Sequence, residues 1–451
     1  MKSINPYTNK VLEEFEEFPE RELERILTQS GDAFKKWKRT NFGYRKSLMK
    51  NVSRLLKGKI NEYAESITAE MGKPVGESKA EVEKCAWVCN YYADNAELFL
   101  RDEPVDTDAD MSYVNYAPLG TILGIMPWNY PFWQVFRFAV PTLMAGNTVL
   151  LKHASNVQIC ARHIENIFTE AGFPLSVFRN LVIGSDKVGK VIESDFIKGI
   201  SLTGSEFAGQ KVAETAGRNL KKTLFELGGS NAFVILADAD IEKAVEIGVK
   251  ARMQNAGQSC IAAKRFIVEE SVSDEFIALF KEELNKICPG DPTEAKTNLG
   301  PLASIQQAET VENQVRKSVE MGARIIAGGY RDNSFFQPTL ITDVKPGMPL
   351  FDEEVFGPVA PVTVVKNISD AIALANQSKF GLGVSLFTSN LEQARELVHE
   401  FDDGAVFINA MVKSDPRLPF GGTKKSGFGR ELAIQGIREF VNIKTVYIKK
   451  F

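Results

Sequence analysis

Between residues 20 and 100 apolar positions recur at three- and four-residue spacing with charged residues between them, as in ELERILTQSGDAFKKW and SLMKNVSRLLKGKINEYAESITAEMG. That period predicts successive amphipathic helices. The pattern then changes. SYVNYAPLG alternates, and TILGIMPW, TVLLKHA, NLVIG and IKGISLTGS are short apolar runs, each followed by a helix-like segment. Strands alternating with helices predict a parallel sheet with crossover helices. A second series begins near Asn231: NAFVIL, a helix from Ile241 to Asn255, KRFIVEE, a helix from Asp274, then RIIAGG, PVTVVK, GVSLFTS and GAVFINA. The simplest sum is an α/β protein of two α/β units with an appended strand ribbon, free of internal repeats and long linkers.

Length and charge narrow the function. A chain of 451 residues exceeds what one hydrophobic core serves, so two or three domains are expected. A net charge of −4 without long single-sign runs argues against nucleic acid as a partner. The N-terminus carries no apolar signal region, and no stretch approaches the roughly 18 apolar residues of a membrane span, so a cytoplasmic enzyme is the expectation. Five cysteines and three histidines are too few and too scattered for a disulfide framework or a metal site. Cys85 and Cys89, four apart, read as two buried helix thiols, and Cys160 and Cys288 also stand in apolar settings. Only Cys260 lies among small and polar residues.

Three segments offer chemistry. GISLTGS ends at Gly204 and Ser205 and runs into a helix from Glu206 to Gly217, a geometry that aims backbone donors at an anion such as a pyrophosphate. GSDKVGKVI sets Gly184 and Gly189 around a similar turn, although neither is a G-x-G-x-x-G fingerprint and a plain strand-to-helix connection fits equally well. In LFELGGSN, Glu226 precedes two glycines; alone it reads equally as a solvated cap. In NAGQSCIAAKR, Cys260 is either a small core residue or an accessible, activated thiol in a turn.

The order of the motifs decides more than any one of them. Glu226 precedes Cys260 by 34 residues, and around them stand IMPWNYPF with Asn129, KHAS with Lys152, EEVFGP with Glu354, and PFGGTKKSGFGRE. These blocks, in this order, resemble the aldehyde dehydrogenase superfamily over essentially the whole chain. Within it, the tail NAMVKSDPRLPFGGTKKSGFGRELA resembles the short bacterial NAD(P)-dependent succinate-semialdehyde dehydrogenases.

The resemblance implies a role for each matching residue. Cys260 would attack the aldehyde carbon, Asn129 and the Cys260 backbone N–H would hold the oxyanion, and Glu226 would activate water against the thioester. Lys152 and Ser155 would meet the adenine ribose, Ser205 the pyrophosphate and Glu354 the nicotinamide ribose. Phe356 would flank the nicotinamide, and Trp128, Gly184, Gly204 and Leu227 would complete the cofactor contacts. Relatives selective for NAD often carry a glutamate where this chain has Ser155, which predicts NADP, with NAD also accepted. Arg137 and Ser414 match residues that bind a substrate's distal carboxylate, although on an apolar helix Arg137 could also snorkel to solvent. A second carboxylate-binding arginine of some longer relatives is replaced by Gln254, and Ala262 removes the partner for a local redox disulfide. The family arrangement implies a cofactor domain over residues 1–227 with 412–436, interrupted by ribbon strands near 102–118. It also implies a catalytic domain over 228–411, a C-terminal ribbon strand within 437–451, and a homodimer or pair of dimers. Competing readings are a broad-specificity dehydrogenase for another small aldehyde, a coenzyme A-acylating dehydrogenase, which has no need of Glu226, and a non-catalytic cofactor-binding protein.

Overall fold

The computed structural model describes residues 1–450; Phe451, last residue of the expected C-terminal strand, lies outside them. The helical period of the first hundred residues becomes four helices, Glu20–Trp37, Phe42–Gly58, Ile60–Met71 and Val75–Phe99. Each turns an apolar stripe inward, and Asn41 caps the second by accepting a hydrogen bond from the Tyr44 N–H.

The alternating region forms two mostly parallel sheets and a ribbon. The first sheet has six strands in the order Gly427–Phe428, Lys222–Glu226, Ile197–Thr203, Thr121–Met126, Thr148–His153 and Phe178–Asn180, with only the first antiparallel to its neighbour. The second has seven, in the order Arg324–Ala327, Thr339–Thr342, Val359–Val365, Ala263–Glu269, Asn231–Ile235, Val384–Phe387 and Val406–Ile408. Only its Arg324–Ala327 edge runs antiparallel. Strands buried on both faces need continuous apolar runs, which is why TVLLKH and FVI carry no alternation. The ribbon pairs Val441–Ile448 with Met111–Pro118, and the latter with Glu103–Pro104.

Local departures from the sequence reading have local causes. The strand expected at NLVIG lies just upstream, at Phe178–Asn180, because Leu181 and Ile183 serve the core from an irregular segment. Gly189 sits inside the short helix Val188–Glu193 instead of in a turn. The helix expected from Asp274 starts at Glu270, and the helix expected to reach Asn255 stops at Met253. Cys85, Cys89 and Cys160 are buried, but Cys288 is exposed at the end of a helix–loop junction, so its apolar setting does not materialise.

Register places the chemistry. Thr203 pairs with Glu226, the last residues of adjacent parallel strands, and Met126 ends the next strand on the same side. The segments that follow these strand ends carry Asn129, Gly204, Ser205 and Leu227. Ligands of open α/β sheets bind beyond these carboxyl ends, where loops converge.

Candidate active site

Cys260 stands on a loop that the backbone holds in an unusual conformation. Asn255, Ala256 and Gly257 are all left-handed, with φ of 55°, 51° and 73°. Only glycine fits at 257, because a Cβ there would meet the Gly357 carbonyl oxygen at 2.3 Å. A non-glycine residue such as Ala256 in this region costs about 1 kcal/mol or more, and such strain persists only where surroundings impose it. Here the Asn255 backbone N–H donates to Glu77 at 2.8 Å. Its side-chain amide donates to the carbonyls of Asn129 at 2.8 Å and Gln258 at 3.1 Å. Gln258 in turn accepts from the Ala303 N–H at 2.9 Å. The nucleophile loop and the Asn129 turn are thereby tied together.

Asn129 precedes the fully buried helix Trp133–Met144. Its side-chain amide donates to the Gln258 carbonyl at 3.1 Å, which fixes it beside the Cys260 loop. The helix start is held by Glu81, whose carboxylate accepts from the Phe132 and Trp133 N–H groups at 2.8 and 2.9 Å and pairs with buried Lys73. An anion at a helix N-terminus is well placed against the helix dipole.

Two cavities meet at Cys260, which lines both together with Gln134. One is walled by Trp128, Gly204, Ser205, Leu227, Glu354 and Phe356. The other is walled by Lys84, Trp133, Arg137, Ser414 and Phe420, with Gln254 and Ala262 among its further lining. The expected cofactor and substrate residues therefore segregate onto two sides of one sulfur. Lys152, Ser155 and Gly184 line neither cavity. Lys152 lies buried in the strand Thr148–His153, Ser155 is exposed just beyond it, and the Gly184 N–H donates to Glu17 at 3.1 Å.

The first cavity has a helix N-terminus at its edge and a carboxylate on its wall. Ser205 caps the helix Glu206–Arg218 by accepting from the Ala208 N–H at 3.2 Å, leaving the helix N-terminus facing the cleft. Gly209 permits close approach of that helix, since a Cβ would meet Leu227 at 2.7 Å. Glu354 accepts from the Gly229 N–H at 3.1 Å and pairs with Lys264, and a Cβ at Gly228 would strike its carboxylate at 2.6 Å. Trp128 and Phe356 meet edge to face, 5.8 Å between centroids.

Burial dominates the electrostatics. It pushes the Cys260 thiol up to about 11 against the opposing pull of Arg137 and Lys264, which favours the neutral thiol over the thiolate on a half-buried sulfur. Glu226 is no solvated cap: it is 1% exposed, its oxygens lack hydrogen-bond partners, and desolvation holds its carboxyl well above the usual range despite nearby Arg137. Arg137 does not snorkel. It is 2% exposed, forms an ion pair with Glu431, rests over the Phe420 ring at 4.6 Å and donates to Thr203 at 3.4 Å. Phe420 and Glu431 exchange backbone hydrogen bonds at 2.7 Å, so a single bridge positions two of the three partners of Arg137.

Sequence reasoning passed over Glu431, Lys264 and Lys84. Two signals were available: Glu431 lies within the quoted FGRE block, and Lys264 follows the apolar run IAA, where a lysine needs a partner; Lys84, after Glu81 and Glu83, carried none. The partners themselves lie tens to hundreds of residues away and are visible only in the fold.

The model of the aldehyde dehydrogenase family matches residues 1–446. The chain belongs to that family. A probable succinate-semialdehyde dehydrogenase [NADP(+)] of Synechocystis is 47% identical over 449 residues, 99% of each chain. The succinate semialdehyde dehydrogenase [NAD(P)+] of Escherichia coli is 42% identical, covering 99% of this chain and 97% of its own. The crystal structure of succinic semialdehyde dehydrogenase from Streptococcus pyogenes in complex with NADP+ superposes with a TM-score of 0.97 at 38% identity, over 100% of both chains. The expected aldehyde-oxidising enzyme class and the two-sheet α/β fold with its ribbon hold.

Proposed function

We propose that this aldehyde dehydrogenase oxidises succinate semialdehyde to succinate with NADP, and accepts NAD. The observation that carries the reading is the position of Cys260 at the junction of a cleft lined by Ser205, Leu227 and Glu354 and a second cavity whose wall holds Lys84, Arg137 and Ser414. The names of the relatives support the same substrate and cofactor.

In this reading the Cys260 thiol passes its proton to water in the cavity and the sulfur bonds the aldehyde carbon. The resulting oxyanion is held by the Asn129 side-chain amide and the Cys260 backbone N–H. A nicotinamide dinucleotide bound against Ser205, Leu227 and Glu354 supplies the hydride acceptor. Loss of hydride leaves a thioester on Cys260. Glu226 removes a proton from water, the oxygen adds to the thioester carbonyl, the carbon–sulfur bond breaks to return the sulfur to Cys260, and the carboxylate product leaves. A sulfur nucleophile must stay reduced, which suits the cytoplasm.

Steady-state rates for succinate semialdehyde and uncharged aldehydes, each with NADP and NAD, test the proposal. Preference for succinate semialdehyde with NADP is the expected result, and loss of NADP preference in Ser155→Glu would tie it to the exposed position beside Lys152. Turnover with NAD alone would remove the cofactor reading. One observation favours a broader aldehyde range as the second reading: Arg137, the matched carboxylate binder, is already paired with Glu431, and Gln254 offers no charge.

A further inference from the structure

The cavity beyond Cys260 needs a cation if it is to receive a carboxylated aldehyde, and the charges around it are mostly taken. Lys73 pairs with Glu81, Arg137 with Glu431 and Lys264 with Glu354. Lys84 is different. It projects from the helix Val75–Phe99 into the cavity wall, three residues after Glu81, and forms no ion pair among the described residues. Its ammonium donates to the Ser414 hydroxyl oxygen at 2.8 Å and lies 4.3 Å from the centroid of the Trp133 ring. The Trp133 indole N–H also donates to Ser414, at 3.1 Å, which locks the hydroxyl in place. Lys413 reaches the same cavity from an exposed position.

We propose that Lys84 is the residue that binds the distal carboxylate of the substrate in this pocket, with the Ser414 hydroxyl beside it, and so sets the preference for a carboxylated aldehyde. This rests on the reading of the enzyme as one that takes such an aldehyde. An ammonium has three donors; one is used on Ser414, leaving others for a carboxylate, and the aromatic face of Trp133 steadies the charge without neutralising it. Burial pushes the lysine down to about 8, with Arg137 adding to the effect, while Glu81, already paired with Lys73, and Asp415 oppose it from outside ion-pair distance. The helix at residues 75–99 thus supplies the charge that Gln254, ahead of the nucleophile, does not.

The test compares kcat/KM for succinate semialdehyde with that for butanal, which has the same chain length and no carboxylate, in the full-length wild type, Lys84→Met, Lys84→Gln and Lys84→Arg. A hydrogen bond to a charged group is worth roughly tenfold or more in binding. The preference ratio is therefore expected to fall at least about tenfold in both neutral variants, through the KM for succinate semialdehyde, and to return in part with arginine. A wild type that strongly prefers succinate semialdehyde, with the same ratio in both neutral variants, would overturn the role of Lys84 alone. A wild type without preference would overturn the substrate reading and this assignment together. Using a ratio, and two neutral side chains of different shape, separates lost charge from lost folding.

Discussion

Arg137 and Glu431 form an ion pair inside the wall of the substrate cavity, each almost wholly removed from water. Buried pairs return little net stability, but stripping one partner leaves a charge without compensation and costs about 3–5 kcal/mol. Arg137→Met should therefore lower the free energy of unfolding, from denaturant titration, by an amount in that range, and Arg137→Met with Glu431→Leu should recover much of it. Equal stability of the single variant and the wild type would show that the pair does not form in solution. A raised KM in the single variant cannot by itself assign substrate contact to Arg137, because the same change disturbs Glu226 next to the pair.

In the proposed reaction Glu226 must be ionised to take a proton from water, yet burial raises its pKa. The sign follows directly: the protonated acid dominates below the elevated pKa, so thioester hydrolysis should weaken as pH falls through it and strengthen above it. Glu226→Gln should remove that pH limb and show a burst of reduced cofactor about equal to enzyme concentration, followed by slow turnover, in stopped-flow absorbance. A steady rate without a burst would mean that another group activates the water.

Much of this was readable in advance, and the failures have a common cause. Four early helices and most strands follow from apolar period, and the order of motifs around Asn129, Glu226 and Cys260 marks three residues that the fold brings to one region. Charge state was not readable. LFELGGSN shows an acid after an apolar run, but only the fold shows it sealed beside Arg137 and Glu431, and NAGQSC left a core residue and an accessible thiol open where the fold gives a half-buried sulfur lining both cavities, its ionisation opposed by burial. Ion pairs such as Lys264 with Glu354 join positions 90 residues apart, and no local period encodes them.

Asn129 is positioned by its bond to the Gln258 carbonyl and by Asn255, which grips its own backbone. An oxyanion donor of this kind is worth about 3–4 kcal/mol in the transition state. Asn129→Ala should lower kcat by roughly 10²- to 10³-fold, with cofactor affinity, followed by fluorescence titration, little changed. A loss confined to cofactor binding would place Asn129 outside the oxyanion site.

The ribbon gives the last prediction. Val441–Ile448 occupies one side of its three-stranded sheet, pairing with Met111–Pro118 and leaving its other edge open. Ile443 and Tyr447, four apart and so on one face of the strand, are 64% and 50% exposed. An open edge with exposed apolar side chains invites a second strand, and proteins usually cover or charge such an edge. Lys444 charges only the opposite face. A second copy of this chain is the occupant we favour, because pairing two such ribbons covers both edges symmetrically. Sedimentation velocity of the wild type should show a dimer or larger species, and Ile443→Lys with Tyr447→Lys should shift it toward monomer without shifting the KM of the separated subunits for aldehyde by more than about twofold. A monomeric wild type, or an unchanged assembly in the double variant, would move the contact away from this strand.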